Sequence, residues 1–224
     1  MDPLHLCIAI LPLAIYLLAI AFVNFRGRPV VVSGYRDGML LGLGVLGLAI
    51  AGPLELFLPE SAAFRIGWYV WPLLVVLYLL LVLLTVLMSR PRLVVYNLDS
   101  DELRPLLSEV VRSMDPQSRW AGDSLAMPTK GLQLYIERNP NMRTVELVGS
   151  ATDQDLQSLA QLEKNLKRVV KQDQPANHSA RVARSGAAPQ LMLVSAIMML
   201  IIFTISIVRD HQAILAGLQE MLRL

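Results

Sequence analysis

The chain has 224 residues, 54% of them hydrophobic and 17% charged, with mean hydropathy +0.51 and a formal net charge of +2. Such a composition excludes an ordinary soluble domain and points to a membrane protein. A single cysteine, Cys7, excludes an internal disulfide, and no Cys/His grouping has the spacing of a zinc site.

Taken in chain order, the first apolar segment covers about residues 4–23, with Pro12 inside it as a predicted kink. It lacks the basic start of a secretory signal, and Cys7 is read as a buried small residue. The second covers about 39–58 and the third 66–88, with Pro72 in its first turn. A fourth lies at 190–208. A spanning helix needs roughly 20 apolar residues, and backbone in lipid must satisfy its own hydrogen bonds, so each segment is predicted to be a transmembrane helix.

The second segment is rich in small residues. Gly38, Gly42, Gly44, Gly47 and Ala51 are candidate helix-packing positions, because small residues let helices approach closely. Gly44, Gly47 and Ala51 share a helical face with Glu55 in "AGPLELFLPE". A carboxylate inside a span is a functional signal by default, which makes Glu55 with the glycine-rich helix a candidate transport or channel element. Equally, Glu55 near a helix end can reach the interface and pair with Arg65 across the short loop.

Basic flanks set the orientation. Arg26, Arg28 and Arg36 follow the first segment, Arg90 and Arg92 the third, and Arg181 and Arg184 precede the fourth. They predict a plasma (inner) membrane protein with both termini outside and residues 90–187 in the cytoplasm. Trp68, Tyr69 and Trp71 then form an aromatic belt at the outer interface.

Residues 90–172 read as a small α+β domain of order β-α-β-β-β-α. "RLVVYN" is a strand, and "DSDELRPLLSEVVRSM" an amphipathic helix capped by Asp99 or Ser100. "DSLAMP", "LQLYIE" and "RTVELV" are three further strands. The second helix is predicted from Thr152, with Asp155 in a capping box and a stripe of Leu156, Leu159, Leu162, Leu166 and Val169. Trp120 stands out in a polar loop. Residues 173–189 read as a polar linker, and 209–224 as an amphipathic tail. That tail can pair subunits of a homo-oligomer with the last span, or lie on the membrane.

Lys164, Lys167, Arg168 and Lys171 form a juxtamembrane basic cluster. Such a cluster suits anionic lipid head groups, although a solvated helix face has the same composition. No aromatic interleaving accompanies it, which argues against nucleic acid. Phosphate-binding, zinc-protease and serine-hydrolase motifs are missing, so neither a catalytic residue nor a cofactor is assigned.

The stretches "GPLELFLPE", "RPRLVVYN" and "RWAGDSLAMP", in this order of segments, give a layout that resembles uncharacterised bacterial inner-membrane proteins. The resemblance implies three spans, a small cytosolic α+β domain and a last span, and no activity. The expectation is therefore a non-enzymatic multi-pass protein in the lipid bilayer. Its cytosolic domain binds a protein partner or anionic lipid, with transport through Glu55 as the alternative.

Overall fold

The computed structural model describes residues 3–26, 28–54, 67–139, 143–150, 155–183 and 187–223. Its elements run α1 (Pro3–Phe25), β1 (Val30–Ser33), α2 (Gly34–Ala49) and, after a π-helical turn at Ile50–Leu54 and a 3-10 turn at Gly67–Tyr69, α3 (Val70–Met88). Then follow β2 (Arg92–Tyr96), α4 (Ser100–Met114), β3 (Arg119–Ala121), β4 (Ser124–Met127), β5 (Leu132–Asn139), β6 (Thr144–Gly149), α5 (Leu156–Ala183) and α6 (Ala187–Arg223). Two compact units result: Met1–Ala19, Gly38–Val86 and Met192–Leu224 form one, Ile20–Asp37 and Leu87–Leu191 the other.

Among the described residues, four stretches are long and apolar enough to cross a membrane: Leu4–Phe25, Gly34–Pro53, Val70–Met88 and Pro189–Arg209, each mostly in the first unit. Close helix approach follows from the glycines of α2. A Cβ at Gly38 would lie 2.9 Å from a Val86 methyl, and one at Gly42 would overlap Val82, so both positions seat α2 against α3. A Cβ at Gly44 would lie 2.7 Å from Tyr16, and one at Gly47 would collide with the Ile8 carbonyl, so these seat it against α1. Ile8 is four residues before Pro12, whose missing N–H leaves that carbonyl without its helical partner. Glycine at 47 lets α2 cover the gap. The regular helix of α2 gives way to the π-helical turn at the Gly52-Pro53 pair. α6 is continuous over 37 residues. At 1.5 Å rise it is about 55 Å long, against about 30 Å of hydrocarbon. The tail therefore continues the helix of the last span.

In the second unit, one six-stranded antiparallel sheet has the order β1-β2-β6-β5-β4-β3. The expected β-α-β-β-β-α order is present, with two additions. "RWA" forms the short edge strand β3, and "VVVS", between the first two spans, forms the opposite edge, β1. β1 pairs with β2 in the register Val31↔Val95 and Val32↔Val94. Helices α4 and α5 cover one face. Leu103, Leu107, Val110 and Val111 of α4 and Leu159, Leu162, Leu166 and Val170 of α5 pack with Leu93, Val95, Leu134, Ile136 and Leu147 of the sheet. Burying each such side chain contributes about 1.5–3 kcal/mol. Trp120 packs partly buried against this core, with the Arg104 guanidinium 5.2 Å from its ring centre.

One helix end is as expected and two differ. Asp99 caps α4, accepting from the Ser100 amide. Asp155 caps α5, accepting from the Gln157 amide and the Ser158 hydroxyl, so that helix starts at Leu156 (Thr152 lies outside the described residues). Leu156 is consequently exposed, and Val170 takes the inward position ahead of Val169. Residues 173–183, expected as linker, continue α5 to Ala183. Gln172, Gln174, Ala176, Ala180 and Arg181 favour helix, while Pro175 within the stretch removes one backbone donor and opposes it.

Candidate functional site

The site with the strongest chemistry lies in the second unit and begins where α1 ends. Arg26 directly follows Phe25, the last residue of α1, and its guanidinium lies 5.9 Å from the Phe22 ring centre. Two residues later come Arg28 and Pro29, and then β1. Pairing of β1 with β2 lays this stretch beside α5. Together Arg26, Arg28, Pro29, Val30, Val31, Lys167, Val170 and Lys171 line a groove of about 390 Å³. Among the described residues that line it, four of eight are cationic and none is acidic.

Each wall has a local cause. On α5, Leu166 and Val170 point into the core, and Lys167 and Lys171 follow one position later on the flanking face. Spacing i, i+4 stacks the two lysines on consecutive turns. Glu163 pairs with Lys167 from the preceding turn. On the other wall, Val31 is buried in the core while Val30 faces outward, so β1 offers an apolar floor between two basic residues and the helix.

Asn97 holds the first wall in place. It follows β2 in the left-handed conformation, φ 60°, which asparagine tolerates better than most residues. Its Nδ2 donates to the Val23 carbonyl at 2.5 Å and to the Arg28 carbonyl at 3.2 Å. Val23 is in the last turn of α1, where carbonyls lack helical partners. Asp37, in the first turn of α2, accepts from the Tyr96 hydroxyl at 2.6 Å. Both ends of the stretch between α1 and α2 are thus fastened to β2.

No protein-family model, curated protein or solved structure matches the chain.

The residues singled out from the sequence fare differently. Of the four clustered cations, Lys167 and Lys171 line the groove, whereas Lys164 and Arg168 are exposed and outside its lining. Arg26 and Arg28, read only as orientation signals, supply the other half of the charge. A β-branched run between basic residues was the available signal. Arg92, another orientation signal, forms an ion pair with Glu146 at 3.1 Å on the next strand. Glu55 and Arg65 both lie outside the described residues. Ala51 is half-buried in the π-helical turn. Polar groups inside the spans bond to backbone carbonyls: Tyr78 to Gly42, Ser195 to Met192 and Thr204 to Leu200. Among the described residues, no three His, Cys, Asp or Glu side chains converge as a metal site would require.

Proposed function

We propose that this is a non-enzymatic plasma-membrane protein whose cytosolic domain binds anionic lipid at the membrane surface. The observation that carries this reading is the groove in which Arg26 and Arg28, immediately after a candidate span, meet Lys167 and Lys171. Each Lys or Arg near an anionic surface contributes about 1 kcal/mol, so four in one place outweigh the thermal energy several-fold.

The sheet supports the sidedness. β1 lies between the first and second candidate spans and β2 after the third. Because these strands pair, they lie on one side of the bilayer, and the chain between Ser33 and Arg92 crosses it an even number of times. Crossing by α2 and α3 meets that condition. The basic flanks then favour the cytoplasm for the sheet, with both termini outside.

The test is the lipid shell of the full-length protein in bilayer discs of mixed phosphatidylglycerol and phosphatidylcholine. Anionic lipid is expected to be enriched around the wild type. Replacing Lys164, Lys167, Arg168 and Lys171 together by Gln should reduce that enrichment. A shell of the same composition as the bilayer would reject the reading.

A further inference from the structure

A diffuse basic surface and a built site make different demands on position. On a surface, any cation near the bilayer contributes equally. In a site, only those converging on one volume do. Here the cations divide. Lys167 and Lys171 share a groove with Arg26 and Arg28, while Lys164 and Arg168, interleaved with them on the same helix, lie outside its lining.

We infer that the groove is a discrete site for the phosphodiester head group of one anionic glycerophospholipid, held by Arg26, Arg28, Lys167 and Lys171. This rests on the surface-binding reading above and narrows it to one ligand in one place. Four observations carry it. Both guanidinium and ammonium donors are present; a planar guanidinium matches two phosphate oxygens at once, and an ammonium adds a compact charge. Among the described residues the lining has no acidic side chain to compete for them, and Glu163 pairs with Lys167 from one turn away. Like charges so gathered repel one another, and an anion between them relieves that repulsion. Finally, Pro29, Val30, Val31 and Val170 give the groove an apolar part, and a volume of about 390 Å³ suits a phosphate with its glycerol rather than a bare ion.

Lipid is favoured over a soluble phosphate ester by chain position. Arg26 is the residue next to Phe25, the end of a 22-residue candidate span. A head group at the interface therefore meets the groove at its own depth, with its acyl chains beside α1. Asn97 acts as a positioning residue, since it fixes both the α1 end and the Arg28 backbone without lining the groove.

The test compares two double variants of the full chain by native mass spectrometry, titrated with phosphatidylglycerol, with phosphatidylcholine and with free glycerol phosphate. Wild type should retain one phosphatidylglycerol per chain in preference to phosphatidylcholine. Arg26→Gln with Arg28→Gln should weaken that binding about 25-fold, at roughly fivefold per cation. Lys164→Gln with Arg168→Gln should change it less than about twofold. If the arginine pair fails to fold, Lys171→Gln, an exposed change, carries the same test at about fivefold. Equal weakening by both pairs would overturn the discrete site and leave surface binding standing. No preference for phosphatidylglycerol in the wild type would overturn both. Glycerol phosphate binding as tightly as the lipid would assign the groove to a soluble ester instead.

Discussion

Asn97 Nδ2 donates to the Val23 carbonyl across 74 residues of sequence, at 2.5 Å. One side chain at the end of β2 thus completes the last turn of α1 and places Arg26 and Arg28 at the groove. Asn97 and Val23 both belong to the sheet unit, which includes Ile20–Asp37 and so the last turn of α1.

Asn97→Ala is expected to lower stability by about 1–3 kcal/mol, because the Val23 and Arg28 carbonyls lose their donor and a side chain other than Asn or Gly is strained at φ 60°. Asn97→Gly relieves the strain but not the lost bonds, so it should be intermediate. Thermal unfolding of the purified chain in detergent gives the order. Asn97→Gly matching wild type would remove the cap from the account.

Gly47 and Gly52 form a matched pair on the second segment. A Cβ at Gly47 collides with the Ile8 carbonyl, whereas one at Gly52 meets nothing within 4 Å among the described residues. Gly47→Val should therefore destabilise the membrane unit by about 1–3 kcal/mol, the usual cost of overpacking. Gly52→Ala should leave the melting temperature within about a degree of wild type, as surface-like changes do. Equal effects would contradict the α1–α2 contact.

Asp115 gives the domain an acid-sensitive point. Its buried carboxyl ends α4. Burial opposes its charge, but the Thr129 hydroxyl, the Gln117 and Thr129 amides and the Lys130 charge together hold it below the usual carboxylate range. A depressed folded value means that the contribution is present above the ordinary carboxylate range and is lost as pH falls through the depressed value. Asp115→Asn should lower the melting temperature at neutral pH and flatten its decline in acid. A parallel decline in wild type and variant would assign the acid response to other groups.

Two single cysteines test sidedness, in a chain with Cys7 replaced. Val30→Cys on β1 and Tyr135→Cys on β5 both occupy exposed positions of the same sheet. Both should resist an impermeant thiol reagent in intact cells and react after permeabilisation. Rapid labelling of both would invert the orientation, and opposite behaviour of the two would break the β1–β2 pairing.

Most strands and helices after residue 90, β3 and the end of α5 apart, were legible because their periods are clean. "LQLYIE" alternates, and the α4 stripe repeats at three and four. β1 was not legible. "VVVS" has only four residues, no alternation and a position between two spans, and its partner is some 60 residues away, as in Val32↔Val94. The groove was half legible for the same reason. Lys167 and Lys171 show their shared face by spacing alone. Arg26 and Arg28 join them only through the β1–β2 register, which is a tertiary fact. The start of α5 at Leu156 and its end at Ala183 escaped because neither a cap at Asp155 nor a polar stretch past Lys171 leaves a hydrophobic pattern.

The central claim is that clustered cations beside the first span hold anionic lipid, and its most direct measurement is the retained-lipid composition of the full-length protein in a series of salt concentrations. The account predicts phosphatidylglycerol enriched over phosphatidylcholine at low salt, with the excess falling as ions screen the groove. Equal retention of the two lipids at every salt concentration would contradict it.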